Sequence, residues 1–369
     1  MKIGYLIGSI QRGGAEKQLV ELSIGMVRKG HEVEIASYDG PGYYDSILEE
    51  NGVVVKVMNS KNKIEKIRNI NMWIKKFKPD IVHGIMKRAS SIAILQKLFN
   101  KNLVVVASDY STATYSKHKP IFWLSYILFH FSDCVVTETN VNAKNLITYS
   151  PFMKKKIFVI RNGVNLDRFH KRNHTNRNKK IKFLTVGTVY KVKNPVNLVK
   201  AVNILRNKSY DNFELDWFGA KGQNSLNTND YLISKYLIAE YNIDDRFMFH
   251  DPVEEIDKIY KKADYLVHVS IQDGIPNAIV EGMACGLPIL VSNVSDLPEL
   301  VELGKNGFVC DPKRPESIAA GMEKLILLDD TSYESMSRNS RNIAEKYFGV
   351  DRFVDEHDRM YRCIMDIEK

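Results

Sequence analysis

Two carboxylates, Asp273 and Glu281, stand eight positions apart in one stretch of the chain. Pro276 between them suits the first turn of a helix, where its missing N–H costs nothing. Because a helix rises about 1.5 Å per residue, the two acidic groups would lie at the two ends of an elongated polar ligand. The N–H groups at the helix start attract an anion such as a diphosphate. A nucleotide-diphosphate sugar fits this pattern, with one carboxylate on its ribose and the other on its sugar.

The elements that would position these groups are a strand, a loop, a helix and a second strand. An apolar run predicts a buried parallel strand at 264–269, followed by a helix at 277–285 and a strand at 289–291. Gly286 and Pro288 stop the helix. Such units are common in α/β proteins, and a purely structural unit with Glu281 on a solvated face fits the pattern about equally well.

A loop with two adjacent glycines, Gly13 and Gly14, lies between a predicted strand at 2–9 and a predicted helix at 15–28. Glycine lets backbone N–H groups approach a phosphate closely. Tight packing accounts for a Gly-Gly pair about as well, and the three spaced glycines of the dinucleotide fingerprint are missing. The loop alone therefore leaves phosphate binding open.

Strands and helices alternate through the rest of the chain. Further strands are predicted at 32–37, 53–57, 80–84, 103–107, 134–137, 181–187, 213–218 and 246–249. Further helices are predicted at 64–77, 89–99, 318–328, 333–347 and 353–365. This alternation predicts parallel, doubly wound sheets that bind their ligands at the carboxyl ends of the strands. A polar stretch without periodicity at 166–180 is the predicted linker between two domains.

The composition is that of a globular chain: 369 residues, 44% of them hydrophobic and 26% charged, with a net charge of +9. This length suffices for two domains. The basic residues are dispersed rather than gathered with aromatic residues, which disfavours nucleic-acid binding. Four scattered cysteines indicate reduced thiols in the cytoplasm. We expect no metal and no cofactor, and neither a secretory signal nor a transmembrane segment.

The stretch around the two carboxylates resembles the signature of the retaining glycosyltransferases of family 4. The residues that carry the resemblance are Ser270, Gly274, Pro276-Asn277 and the run from Glu281 to Pro288, EGMACGLP. Smaller matches are RGGAE at 12–16, NGV at 162–164, PELV at 298–301 and NGF at 306–308. The resemblance covers nearly the whole chain and is strongest from 213 to 328. It implies the GT-B fold: two Rossmann-like domains that face a cleft, with a C-terminal helix that crosses back onto the first domain.

The resemblance also implies roles for single residues. Glu281 would bind ribose hydroxyls, and Lys193 would bind the diphosphate. Asp273 would hold the sugar together with the backbone N–H groups that the loop 274–277 offers outside Pro276. The implied catalytic residues are Asp273, Glu281, Lys193 and Asp109. The implied donor-binding residues are Gly13, Gly14, Thr188, Lys193, Val253, Gly274, Ile275, Pro276, Asn277 and Glu281.

The chain departs from the family pattern at three of these positions. Asp273 stands where the family usually has Glu, and Thr188 stands where it has an Arg. Lys191 could replace some of that charge but not a bidentate guanidinium. The His that the family often holds near the transferred sugar is missing, and Asp109 is only its positional substitute. On the acceptor side the resemblance implies His83 and His118. A lone His is more often a structural residue, and this alternative stays open for His83.

The implied domains are an acceptor-side domain at 1–165, a linker at 166–180, a nucleotide-sugar-binding domain at 181–348 and a returning helix at 349–369. The implied reaction moves a hexose or N-acetylhexosamine from a nucleotide-diphosphate sugar, with UDP-sugar favoured, to a hydroxyl acceptor with retention and without a metal. The implied setting is the assembly of bacterial surface polysaccharide or lipid-linked glycan. A non-catalytic nucleotide-sugar-binding subunit and a nucleotide-sugar epimerase are the alternatives.

Two segments bear on contact with a membrane. The segment 61–78 combines basic residues with apolar ones at helical spacing, and 119–131 is strongly apolar and aromatic. A solvated helix face and core packing account for them. The alternative is attraction to anionic headgroups, worth about 1 kcal/mol per basic residue near the surface. The expected partners are thus the donor, a glycan or lipid-linked acceptor and an anionic membrane, whose cytoplasmic face the protein would contact peripherally.

Overall fold

The computed structural model describes residues 1–60, 62–110, 120–171, 180–221 and 228–367 of the protein. The chain forms two compact units, one made of Met1–Gly163 with the segment from Val350 onward, the other of Val164–Gly349. The described strands of the first unit are β1 (Lys2–Ile7), β2 (Glu32–Ser37), β3 (Val54–Val57), β4 (Ile81–Gly84), β5 (Val104–Asp109), β6 (Cys134–Thr137) and β7 (Ile157–Val159). Those of the second unit are β8 (Ile181–Val186), β9 (Phe213–Phe218), β10 (Phe247–His250), β11 (Tyr265–His268), β12 (Ile289–Ser292) and β13 (Gly307–Cys310).

Helices connect these strands. In chain order the described helices are α1 (Gly14–Arg28), α2 (Asp45–Glu50), α3 (Lys63–Phe77), α4 (Met86–Gln96), α5 (Pro120–Phe129), α6 (Asn140–Tyr149), α7 (Pro195–Asn207), α8 (Thr228–Tyr241), α9 (Ile256–Tyr260), α10 (Asn277–Ala284), α11 (Leu297–Gly304), α12 (Pro315–Ile326), α13 (Asp330–Phe348) and α14 (Val350–Ile367). Short 3-10 turns occur at Pro151–Lys156 and Lys191–Lys193.

The two sheets have the same winding. Their strand orders are β3-β2-β1-β4-β5-β6-β7 and β10-β9-β8-β11-β12-β13, and neighbouring strands run parallel. The direction of winding reverses between β1 and β4 in the first sheet and between β8 and β11 in the second. Open α/β sheets bind ligands at such reversal points, outside the carboxyl ends of the strands. The prediction of two parallel, doubly wound α/β sheets is confirmed.

The central strands of each sheet are buried on both faces, as is typical of parallel sheets. In the second unit, Phe183 of β8 and Tyr265 of β11 belong to the core on one face of the sheet. Their chain neighbours Leu184 and Leu266 belong to the core on the other face. Burial of each such side chain contributes about 1.5–3 kcal/mol to folding. The strands are therefore firmly packed, and they hold the polar residues at their carboxyl ends in place.

The last helix, α14, belongs to the first unit and packs against α1. A Cβ atom on Gly25 of α1 would lie 2.3 Å from Val354 Cγ2, so glycine is what permits this close approach. His31 Nε2 and Asp358 Oδ1, 2.9 Å apart, tie the same helix to the loop before β2. The prediction that the final helix returns to the first domain is confirmed.

The segment from Leu166 to Lys171, within the predicted linker, belongs to the second unit. Phe169 is buried there, and Arg341 Nη1 of α13 donates a hydrogen bond of 2.7 Å to its carbonyl oxygen. The rest of the predicted linker up to residue 179 lies outside the described residues. Within the described ranges, no helix has the length and apolar character needed to cross a membrane.

Candidate functional site

Two loops meet at the carboxyl ends of β8 and β11, where the winding of the second sheet reverses. The loop after β8 contains the 3-10 turn Lys191–Lys193 and ends at Asn194, whose φ of +65° is left-handed. Asn194 Nδ2 donates to the carbonyl oxygen of Val269 over 3.0 Å. The backbone N–H of Ile271 donates to the carbonyl oxygen of Val192 over 2.8 Å. These hydrogen bonds fix the two loops to each other.

Lys193 and Asp273 form an ion pair across these loops, between Lys193 Nζ and Asp273 Oδ2. Two further groups meet the same carboxylate oxygen: His268 Nε2 at 2.9 Å and Ser270 Oγ at 3.0 Å. The Lys193 side chain is only 16% exposed and the Asp273 side chain 21%. The structure therefore brings together two residues that the sequence assigns to different parts of the donor, and it adds a histidine and a serine.

The charges in this cluster reinforce one another. Burial opposes ionisation of Asp273, but the Lys193 ammonium and the hydrogen bond from His268 outweigh it, so the pKa of the carboxyl lies well below its usual range. Burial and the nearby Lys193 ammonium lower the pKa of His268, against the effect of Asp273. At neutral pH the cluster thus holds an ammonium, a carboxylate and a neutral imidazole. Since a carboxylate only accepts hydrogen bonds, His268 Nε2 carries the proton.

Helix α10 begins directly after the Asp273 loop. Pro276, with φ −65° and ψ 144°, is the residue before the helix, and Asn277 is its first residue, which is the start that the sequence predicts. The helix ends at Ala284, and Gly286 turns the chain into β12 with a left-handed φ of +75°, which glycine adopts without strain. The start of α10 follows the loop at the carboxyl end of β11, and a helix N-terminus suits an anion.

Glu281 lies inside α10 and is 5% exposed. It is next to the hydroxyl of Tyr260, the last residue of α9, and that hydroxyl also donates 3.2 Å to the carbonyl oxygen of Ala278. Burial and then the charge of Glu281 raise the pKa of Tyr260 well above its usual value. Contact between Glu281 and a ribose stays a prediction, and Tyr260 is the group that orients this carboxylate.

Most of the remaining donor positions of the second unit lie in these two loops or at the start of α10, and Val253 follows β10. Gly274 and Ile275 are buried, Pro276 and Asn277 are half-buried, and Thr188 and Val253 are exposed. Near Val253, the ring of His250 stacks on Phe218 with centroids 4.4 Å apart. Their contact with a donor is not tested by this arrangement and stays a prediction.

The glycine loop of the first unit lies at the start of α1, beside the reversal point of its own sheet. Gly13 precedes the helix in an extended conformation and Gly14 is its first residue. The carboxylate of Glu16 folds back over this start, because a Cβ atom on Gly13 would lie 2.0 Å from Glu16 Oε2. Burial raises the pKa of Glu16. A carboxylate therefore lies beside the loop at which the family resemblance implies donor binding.

His83, predicted on the acceptor side, lies in the interior of the first unit and is fully buried. Its Nδ1 is 2.7 Å from the hydroxyl of Tyr361, and its Nε2 is 2.6 Å from Ser108 Oγ. Burial and the neighbouring His357 lower the pKa of His83 well below the usual value. Acceptor contact by His83 stays a prediction. The environment of the ring fits the structural alternative, because α14 covers the ring and both nitrogens are hydrogen-bonded.

Asp109, the last residue of β5, is also buried. The Tyr126 hydroxyl donates to its Oδ2 over 3.2 Å, and Lys87 Nζ lies 3.4 Å away. A role for Asp109 in the reaction stays a prediction. His118 lies outside the described residues. Among the residues with described positions, no group of three or more His, Cys, Asp or Glu could hold a metal ion.

Two family models match the chain. One, for Glycosyltransferase Family 4, matches residues 12–168, and one, for glycosyl transferases group 1, matches residues 167–343. The chain belongs to the group 1 glycosyltransferases of family 4. Its two sheets are the two halves of the GT-B fold, and both motif-bearing loops of the second unit lie within the group 1 match.

Similar proteins share this family and fold. The capsular polysaccharide biosynthesis glycosyltransferase CapM of Staphylococcus aureus is 23% identical, over 92% of this chain and 91% of its own. A Campylobacter jejuni α-1,4-N-acetyl-D-galactosaminyltransferase, named for a diNAcBac-PP-undecaprenol-linked substrate, is 22% identical over 96% and 97%. The crystal structure of Anabaena HepE with UDP and glucose superimposes with a TM-score of 0.84 at 16% identity, over 97% and 98% of the chains. This last likeness shows the fold.

Sequence reasoning missed two residues that build this candidate site. His268 closes an apolar strand, and its ring reaches a carboxylate five positions later. Asn194 stands before Pro195, and its side chain joins the two loops. A polar residue at the end of a buried run was the available signal for His268, and an Asn-Pro step before a helix was the signal for Asn194.

Proposed function

We propose that this glycosyltransferase moves a hexose or N-acetylhexosamine from a nucleotide-diphosphate sugar to a hydroxyl acceptor, with retention at the anomeric carbon. The observation that carries the proposal is the Lys193–Asp273 cluster at the reversal point of the second sheet, next to the start of α10. An ammonium and a helix start together suit a diphosphate. The UDP found in the HepE complexes makes UDP-sugars the favoured donors.

The chemistry assigned to these groups is the departure of the nucleoside diphosphate. The bond between the anomeric carbon and the phosphate oxygen breaks, and its electron pair stays on the diphosphate. Lys193 and the α10 N–H groups stabilise that negative charge. They would thus take the role that a bound metal ion has in metal-dependent transferases. The acceptor oxygen bonds to the anomeric carbon on the same face, and its proton passes to the leaving phosphate. We assign Glu281 to the ribose hydroxyls, and we propose metal-independent transfer.

The proposed setting is bacterial surface polysaccharide or lipid-linked glycan assembly. CapM is named for capsular polysaccharide biosynthesis, and the Campylobacter relative for a polyprenyl-diphosphate-linked glycan. Both similarities extend over nearly the whole chain at low identity. They support an acceptor of this class without fixing its sugar or its linkage.

One surface of the first unit supports a peripheral contact with the membrane that carries such acceptors. The turns that precede β5, β6 and β7 lie at the amino edge of three neighbouring strands. They are tied together by the Lys97–Asp133 ion pair at 2.5 Å and by His130 Nε2, 2.6 Å from Ser150 Oγ. These turns carry an apolar–basic surface made of the exposed residues Leu98, Phe99, Phe131, Phe152, Lys154 and Lys155.

We assign this apolar–basic surface to an anionic bilayer. Phe152 is 88% exposed and is followed closely by lysines, so apolar insertion and headgroup attraction can act together. Of the two predicted segments, 119–131 contributes Phe131, while Tyr126 and Phe129 are buried as the core-packing interpretation expects. On α3, Ile64 and Met72 are exposed, but the buried Trp73 and Phe77 fix the helix to the core.

A donor screen tests the proposed function. The purified chain is incubated with a panel of nucleotide-diphosphate sugars and a bacterial lipid extract, with and without EDTA, and nucleoside diphosphate release is measured. We expect release from one class of donor, unchanged by EDTA. In the Glu281→Gln variant, calorimetry should show about tenfold weaker binding of the matching nucleoside, since one hydrogen bond to a charged group is lost.

The outcomes separate the alternatives. Tight donor binding without turnover in any extract would indicate the non-catalytic binding subunit. Turnover to an isomeric nucleotide sugar without an acceptor would indicate the epimerase. Nucleoside affinity unchanged in Glu281→Gln removes Glu281 from the ribose site, and loss of turnover with EDTA contradicts metal-independent transfer.

A further inference from the structure

Two side chains close in sequence contact the carboxylate of Asp273: His268 of β11 and Ser270 of the loop that follows it. His268, at the end of β11, is 3% exposed, and Ser270 is buried. His268 Nε2 lies 2.9 Å from Asp273 Oδ2 and 2.8 Å from Ser270 Oγ, and Ser270 Oγ lies 3.0 Å from the same carboxylate oxygen. The three groups form a closed triangle, with Lys193 on the carboxylate as a fourth member.

This triangle matters because the carboxylate is short. An aspartate has one methylene fewer than a glutamate, so its carboxylate reaches less far from the loop. The imidazole ring of His268 stands against it, and a longer side chain at 273 would drive its carboxylate into that ring or into Ser270. The neutral imidazole can only donate through Nε2 here, since the carboxylate accepts. Its position thus fixes where the carboxylate stands.

The support of His268 is itself rigid. β11 is the strand next to β8 and β12 in the middle of its sheet, and its residues are all buried. The backbone of the neighbouring loop is fixed by Ile271 N to Val192 O and by Asn194 to Val269 O. The backbone that carries His268 is therefore held in place by a central strand and by the neighbouring loops.

We propose that His268 is a positioning residue for the donor site: with Ser270 it holds the short carboxylate of Asp273 against Lys193, so that the ammonium and the carboxylate meet the donor as one fixed pair. The proposal rests on the proposed function, because the donor is the nucleotide-diphosphate sugar named there. It makes the size of the residue at 268 and the length of the carboxylate at 273 interdependent. Ligand contact by His268 itself is not part of it.

This dependence between positions 268 and 273 can be tested by making the residue at 268 smaller and the residue at 273 longer. His268→Ala should lower kcat/KM for the donor about tenfold, the fold-change of one hydrogen bond to a charged group. Asp273→Glu should lower it at least as much, because its extra methylene meets the ring. The double variant His268→Ala with Asp273→Glu should exceed both single variants, since the space vacated by the ring accepts the longer side chain. His268→Gln, which keeps a donor, should lose less than His268→Ala.

A matched control comes from the first unit. His31 is also 3% exposed and lies 2.9 Å from the carboxylate of Asp358. His31→Ala should lower the melting temperature by a similar amount and leave kcat/KM unchanged. This comparison separates loss of stability from loss of positioning, and melting curves of every variant identify any that do not fold.

The results decide the proposal in either direction. Recovery in the double variant, with His268→Gln between wild type and His268→Ala, supports it. A double variant no better than the poorer single variant, or a His268→Ala variant with wild-type kcat/KM, overturns it. A wild-type chain that neither binds nor turns over any nucleotide-diphosphate sugar contradicts the proposed function instead, so the two failures are distinguishable.

Discussion

Removal of the Lys193 charge is the most direct probe of the donor site. Lys193→Met keeps the length and apolar bulk of the side chain but removes the ammonium that pairs with Asp273. If the ammonium binds the donor diphosphate, affinity should fall for nucleoside diphosphate and hardly change for nucleoside. The side chain is 16% exposed, so the loss reflects a partly desolvated contact rather than a surface charge.

The magnitude follows from the contacts. A hydrogen bond to a charged group contributes about 1.5–3 kcal/mol, which is roughly 10- to 150-fold in Kd. Lys193 already pairs with Asp273 in the free chain, so its contact with the donor adds less binding free energy than a contact made by an unpaired ammonium. We therefore expect the lower part of that range, about 10- to 30-fold for the diphosphate and less than about threefold for the nucleoside.

Isothermal calorimetry on wild type and variant measures both ligands under the same conditions. Lys191→Met is the matched control, because Lys191 lies in the same 3-10 turn and is exposed. Equal losses for nucleoside and diphosphate would refute the phosphate role of Lys193. So would an unchanged diphosphate affinity, or a loss of the same size in Lys191→Met.

Two further predictions concern the first unit. Phe152→Ser should reduce sedimentation with vesicles of anionic lipid about tenfold, since burial of one aromatic side chain contributes about 1.5–3 kcal/mol. The control is Leu327→Ser, at an exposed site of the second unit. Equal binding by both variants would exclude the apolar–basic surface as the membrane contact. Burial lowers the pKa of His357 to about 4, so the unfolded chain binds this proton first and stability falls as pH drops below about 6.5. Urea unfolding should show a loss of about 2 kcal/mol for this group between pH 7 and pH 5, and His357→Leu should remove that part of the loss; the same pH dependence in the variant would contradict it.

Several strands were predictable from the sequence, and two short helices were not. The bounds predicted for β2, β6 and β9 agree with the structure, because β6 (CVVT) is a run of apolar and β-branched residues, whereas β2 (EVEIAS) and β9 (FELDWF) largely alternate apolar with polar residues. The helices Asp45–Glu50 and Ile256–Tyr260 have fewer than two turns, too few for a helical period to emerge. Their formation depends on the units that they pack against.

The candidate site was predictable where its residues are local in the chain. Asp273, Pro276 and Glu281 belong to one strand–loop–helix unit, and the structure places them on it as expected. The pairing of Lys193 with Asp273 joins residues 80 positions apart, which no local pattern encodes. His83 lies at the end of a strand as the sequence predicts. The contact of its ring with Tyr361, 278 positions later, could not be predicted from a local pattern.

The return of α14 to the first unit has a consequence for synthesis on the ribosome. The second unit is continuous from Val164 to Gly349, whereas the first unit needs residues from both sides of it. At about 5–20 residues per second, roughly ten to forty seconds separate the emergence of Gly163 from that of Val350. During this interval the nascent first unit lacks the helix that covers Tyr5 and His83, so the second unit can complete its fold before the unit that was synthesised first.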